Sequence, residues 1–124
     1  KVVCAFSTLD ITLGIDIEEV QAISFSHLRH FFTAKEWSSI NQSATPLISL
    51  YWYWTAKEST LKALGAGLGG LAQIRIQNAH LVYFGDILFH LQSIDLGHSD
   101  YLVSLCTSIS SKDIVLVPFE LGQP

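Results

Sequence analysis

The spacing of apolar positions divides the chain into a strand-like opening, a helical middle and a series of short β-like runs. Over residues 12–18 the period is two: Leu13, Ile15 and Ile17 point to one side, and Thr12, Gly14, Asp16 and Glu18 to the other. Residues 2–7 form an apolar run of strand length, and Thr8-Leu9-Asp10 offers a turn, so the two runs are expected to pair as a hairpin. Residues 22–31 hold no single period and are read as a short helix.

A helix start follows. Thr33 with Glu36 has the spacing of a capping box and Phe32 with Trp37 that of a hydrophobic staple, which predicts a helix running to about Asn41. The strongest helical signal covers 46–64, with Thr45 as N-cap, Pro46 at the first helical position and Gly65 just past the end. Within it Leu47, Leu50, Tyr51, Trp54, Leu61 and Leu64 recur at three- and four-residue spacing, and Glu58 falls on the same stripe. A carboxylate there needs a partner or a task. Beyond the glycines at 65–70 come β-like runs at 72–76, 79–84, 87–92, 101–106 and 114–119, separated by turn residues. The order predicts an α+β fold, an antiparallel sheet packed against a long helix, with residues 1–124 as a single domain.

Composition narrows the function classes. The 124 residues are 49% hydrophobic and 15% charged, enough for one core without disulfide staples. Seven Lys plus Arg against eleven Asp plus Glu give a net charge of -4, which argues against a nucleic-acid partner. Six of the seven basic residues lie between Lys1 and Arg75, so an anionic ligand is sought in that part of the chain. Cys4 and Cys106 sit in apolar runs with no CxxC and are read as small buried hydrophobes of a reduced compartment. No apolar stretch is long enough for a membrane span and no signal core is present, which makes a cytoplasmic protein without membrane contact the expectation. The chain contains no Met, as expected of a sequence that begins inside a longer gene product or after a removed tag.

Two pairs of charged residues carry candidate chemistry. Asp16 and Glu18 leave the same face of a strand about 6.5 to 7 Å apart, a spacing that suits a shared hard cation and equally a solvated strand face. Glu58 and Lys62, at i and i+4 on one helix face, fit either a surface ion pair or a metal and a phosphate held side by side. Gly-Ile-Asp-Ile-Glu at 14–18 and Trp-Thr-Ala-Lys-Glu-Ser-Thr-Leu-Lys-Ala-Leu-Gly-Ala-Gly-Leu at 54–68, at this separation, resemble the two signature motifs of the 4'-phosphopantetheinyl transferases. The first motif and the segment Phe31-Phe32-x-x-x-Glu36-Trp37 look more like the surfactin-synthetase-activating type than the short holo-acyl-carrier-protein synthase type.

The resemblance implies transfer of the 4'-phosphopantetheine arm of coenzyme A to a serine of an acyl or peptidyl carrier protein, with release of adenosine 3',5'-bisphosphate. It implies Mg²⁺ held by Asp16, Glu18 and Glu58, phosphate contact by Lys62 with Lys57 as a second candidate, and assistance to serine deprotonation by Glu36. Glu36 also fits the capping partner of Thr33, and both readings stand. The glycines at 65–70 follow a helix and lack a Gly-Lys-Ser/Thr ending, so they are read as a stop and turn; the five histidines offer no third ligand and are read as ordinary residues. Surfactin-type enzymes are about twice this long and built from two similar halves. The chain looks like the second half plus its leading strand, and a homodimer or homotrimer with sites at its interfaces is expected. The rival reading is a non-catalytic interaction module that needs a separate N-terminal half.

Overall fold

The computed structural model describes residues 2–8, 10–65, 68–97 and 100–110. Its regular elements are β1 (Leu13–Glu19), α1 (Ala34–Gln42), α2 (Pro46–Leu64), β2 (Ile74–Ile76), β3 (Leu81–Phe84), β4 (Ile87–Ile94) and β5 (Tyr101–Thr107), with 3₁₀ helices at Ser26–Phe31 and Leu68–Gln73. The five strands form one antiparallel sheet in the order β1-β5-β4-β3-β2. The fold is α+β, with α2 laid along β1 and β5.

The helices follow their local chemistry. Thr33 and Glu36 form the capping box: the Glu36 N–H donates to Thr33 Oγ1 at 3.1 Å and the Thr33 N–H to Glu36 Oε1 at 2.8 Å. The staple is also present, with the Phe32 and Trp37 rings 5.8 Å apart. Helix α2 runs from Pro46 and stops at Gly65, whose φ of 69° is left-handed. Thr45 differs from expectation, since its side chain makes no cap bond; Pro46 at the first position has no N–H to satisfy.

Three further readings change. The run at 2–7 is not a strand, and β1 pairs with β5 instead of with a sequence neighbour: Gly14 faces Cys106, Ile15 faces Leu105 and Asp16 faces Ser104. An apolar run of strand length does not specify its partner, whereas the seven-residue register with β5 sets Ile15 and Ile17 against Leu105 and Val103. Val2 and Phe6 are exposed, at 71% and 91%, and so is Cys4, which corrects its assignment as a buried hydrophobe; Cys106 is buried as expected. Ala72 and Gln73 belong to the second 3₁₀ helix, so the strand there begins at Ile74. The run at 114–119 lies outside the described residues.

The face of β1 that carries Gly14 and Asp16 is turned toward α2, so it is not a solvated strand face. Gly14 makes this possible, because a Cβ there would overlap the backbone of Ser59 and Ala63. The matching surface of α2 is built from small residues, with Ala56, Ser59, Thr60 and Ala63 all buried. Behind it lies the core of Leu61, Leu71, Ile74, Val82, Phe89, Leu91 and Cys106, and a second cluster of Phe32, Ile40 and Leu50 joins α1 to α2. Among the described residues no helix is long and apolar enough to cross a membrane.

Gly14→Ala forces backbone away from backbone, and the substitution is expected to lower stability by about 1 to 3 kcal/mol or more, read as a lower urea midpoint at unchanged m. The cysteines give a second check. Burial pushes the Cys106 thiol up to about 11, against a hydrogen bond from Thr60, so iodoacetamide at pH 8 should modify Cys4 alone in the folded chain and both cysteines in urea.

Candidate active site

Three carboxylates meet where β1 crosses α2. Asp16 is 5% exposed, and its Oδ1 accepts a hydrogen bond from Lys62 Nζ at 2.7 Å. Its Oδ2 is buried and has no hydrogen-bond partner among the described residues, a costly arrangement for an ionised oxygen. Glu18 is two residues along the same strand face, and Glu58 comes from α2 one turn before Lys62. Burial first, then the neighbouring Asp16 carboxyl, then Glu58, raise the Glu18 carboxyl to about 7, while Lys62 opposes the shift. Glu58 is raised by burial and then by Asp16, again against Lys62. The floor is polar: Ser59 Oγ donates to Ala56 O at 2.9 Å and lies 3.2 Å from Ser104 Oγ, and Ser104 faces Asp16 across the β1–β5 ladder.

The sequence-predicted residues thus fall into two groups. Asp16, Glu18, Glu58 and Lys62 are brought together, with Lys62 half-exposed and therefore open to solutes. Lys57 and Glu36 are not brought to them. Lys57 is 0% exposed; its ammonium lies 2.7 Å from Glu36 Oε1 and donates to the carbonyls of Phe31, Leu71 and Ile74 at 2.9, 3.2 and 2.8 Å. Burial pulls the Lys57 pKa down, and the Glu36 carboxylate resists that pull. Glu36 is 3% exposed, and its second oxygen accepts the Ile76 N–H at 2.8 Å. Of the two readings of Glu36, the cap is present. The enclosure of Lys57 was not legible, since nothing in Ala56-Lys57-Glu58 marks the lysine as the residue that turns inward. Ser104 and Ser59 were also missed, and only the β1–β5 register identifies them.

The donor set fits a hard cation. Carboxylate oxygens are the ligand type Mg²⁺ takes, and a buried oxygen without a hydrogen-bond partner among the described residues, beside two carboxyls whose charged forms burial and Asp16 disfavour, is the electrostatic setting a divalent ion relieves. Among the described residues no group of three or more His, Cys, Asp or Glu side chains is placed to hold a metal ion as the protein stands. His27 and His30 are exposed and line, with Arg29 and Trp37, a cavity of about 480 Å³ that none of the three carboxylates lines.

Residues 12–106 match the model of the 4'-phosphopantetheinyl transferase superfamily. The chain is 40% identical over 65 residues to an L-aminoadipate-semialdehyde dehydrogenase-phosphopantetheinyl transferase of Schizosaccharomyces pombe, and 37% identical over 70 residues to the enzyme of that name from Xenopus laevis. These matches cover 48% of this chain and 25% and 23% of the two relatives, so the chain spans about a quarter of their length. Its fold is shared with Thermotoga maritima holo-[acyl-carrier-protein] synthase at a TM-score of 0.61 and 20% identity, over 78% of this chain and 62% of that one. The chain belongs to the 4'-phosphopantetheinyl transferase superfamily.

Because the folded-state pKa of Glu18 is raised from 4.5 to about 7, its contribution to stability is present below pH 4.5 and is lost as the pH rises through 7. Glu18→Gln is therefore expected to raise the melting temperature at pH 8 in EDTA and to leave it nearly unchanged at pH 4.5.

Proposed function

We propose that this chain supplies the metal- and pyrophosphate-binding half of a phosphopantetheinyl transferase that acts on a carrier protein. The observation that carries this reading is the buried Asp16 Oδ2, which has no hydrogen-bond partner among the described residues, beside Glu18 and Glu58, with the half-exposed Lys62 at its edge. In the reaction a serine oxygen of the carrier attacks the phosphorus that bears the pantetheine arm. A new O–P bond forms, the bridging pyrophosphate P–O bond breaks, and adenosine 3',5'-bisphosphate leaves as the serine proton passes to a base or to water. Mg²⁺, when bound, neutralises the negative charge that develops on the pyrophosphate. Asp16, Glu18 and Glu58 would hold the ion, and Lys62 would exchange its contact with Asp16 for a phosphate oxygen.

The names of the relatives supply the substrate class. Two are named as phosphopantetheinyl transferases of L-aminoadipate-semialdehyde dehydrogenase and the structural neighbour as a holo-[acyl-carrier-protein] synthase, which supports an acyl or peptidyl carrier as the substrate class. We infer that the adenine and 3'-phosphate of coenzyme A are gripped by a second body, either a copy of this chain in a homodimer or homotrimer or an N-terminal half. If the second body is absent, the chain acts as a non-catalytic interaction module instead.

Mass spectrometry of an apo carrier protein incubated with the chain, coenzyme A and Mg²⁺ is expected to show the added phosphopantetheine mass. EDTA should suppress the signal and excess Mg²⁺ restore it. Asp16→Ala and Glu58→Ala should each lower the rate by roughly a hundredfold or more, as loss of metal-borne transition-state stabilisation requires; full activity in both variants would sink the metal assignment. Sedimentation with coenzyme A and Mg²⁺ tests the second body, and a strict monomer that binds no coenzyme A overturns the oligomeric reading.

A further inference from the structure

We propose that Glu36 and Lys57 are positioning residues that fix the roll of α2 about its axis, and so the placement of Glu58 and Lys62 against Asp16. The inference rests on the metal and phosphate roles proposed above. Residues 57 and 58 are neighbours on a helix, so their side chains diverge by about 100°. Glu58 serves the carboxylate group, while Lys57 enters the knot on another side of the same turn. Four acceptors surround the Lys57 ammonium: Phe31 O, Leu71 O, Ile74 O and Glu36 Oε1. Glu36 carries the connection onward to the backbone of Thr33 and Ile76. One enclosed pair therefore ties α2 to both 3₁₀ helices, the start of α1 and the edge strand β2.

The contacts are directional, and that sets them apart from apolar packing. Side chains in a hydrophobic interface tolerate a small slide, whereas an ammonium held by four fixed oxygens does not. The tolerance at the site is narrow: a roll of about 10° moves a carboxylate about 5 to 6 Å from the helix axis by about 1 Å. A displacement of that size can cost about a hundredfold where geometry governs the reaction. A fully enclosed lysine is also an expensive way to fill space, since apolar residues of similar volume often stabilise as well or better. The knot lies on one side of α2 and the close approach of Gly14 on the other, so the helix is gripped from two directions.

Glu36→Gln tests the idea, because it keeps the side chain's shape and one oxygen for the Thr33 N–H and the Lys57 ammonium, while it removes the charge that holds Lys57 and sets an NH2 against the Ile76 N–H. Lys57→Met removes the knot itself. Circular dichroism at the assay temperature selects folded protein, calorimetry measures Mg²⁺ binding to the chain alone, and kinetics separate kcat from the KM for coenzyme A. Positioning predicts that both variants, folded, bind Mg²⁺ about 10- to 100-fold more weakly, with KM raised and the pH profile of kcat unchanged. Unchanged Mg²⁺ affinity in Glu36→Gln with kcat down by about 10²- to 10⁴-fold would identify Glu36 as a base and overturn the inference. Unchanged affinity, KM and kcat would reduce the pair to a fold-stabilising contact and overturn it equally. If Lys57→Met does not fold, Glu36→Gln decides alone. If the unmodified chain binds no Mg²⁺, the metal reading itself falls, which is a different result from binding that the substitutions leave intact.

Discussion

The arrangement depends on how closely β1 lies against α2. A strand normally approaches a helix at the distance its side chains allow, but at Gly14 there is none, and the backbone of residues 59–63 occupies the space. Two positions further along, Asp16 is drawn under the helix with it, into a setting where a carboxylate needs a cation or a hydrogen-bond donor. Glu58 and Lys62 flank the same crossing. The small residues of α2 and the glycine of β1 are therefore as much part of the site as the charged groups, because they set the distance at which those groups meet.

Two lysines on one helix show how enclosure assigns different parts to the same chemistry. Lys62 is half-exposed and contacts Asp16 alone among the described pairs, so its contact is screened by solvent and open to competition. Lys57 is sealed, with its charge spread over a carboxylate and three carbonyls and the Phe32 ring 5.3 Å away. Breaking one half of such a pair costs far more than the contact contributes, since the remaining charge stays buried. The exposed lysine is free to meet a solute, and the sealed one shapes the ground on which that meeting takes place.

What could be read from the sequence was what local chemistry decides. The Thr33/Glu36 box, the Phe32/Trp37 staple and the Pro46–Gly65 limits of α2 each involve residues a few positions apart, and all are found. Asp16, Glu18, Glu58 and Lys62 were legible because motif spacing singles them out, and the fold does bring them together. Long-range selection was not legible. Nothing in residues 2–7 shows that β1 prefers residues 101–107, and Cys4 was misjudged with that run. The side on which Lys57 leaves its helix is also beyond local reading, since charged residues are usually solvated and this one is enclosed by carbonyls from two stretches of chain, at Phe31 and at Leu71 and Ile74.

The pairing of β1 with β5 has a consequence for how the molecule comes into being. Strand β1 is made first, but its ladder is closed by residues about ninety positions later, so the pairing has a high loop-closure cost. During synthesis α1 and α2 can form from their own caps while Asp16 still lacks Ser104 across from it. The cluster of carboxylates, costly in isolation, is thus among the last features to be assembled, after the helix that receives it has taken shape.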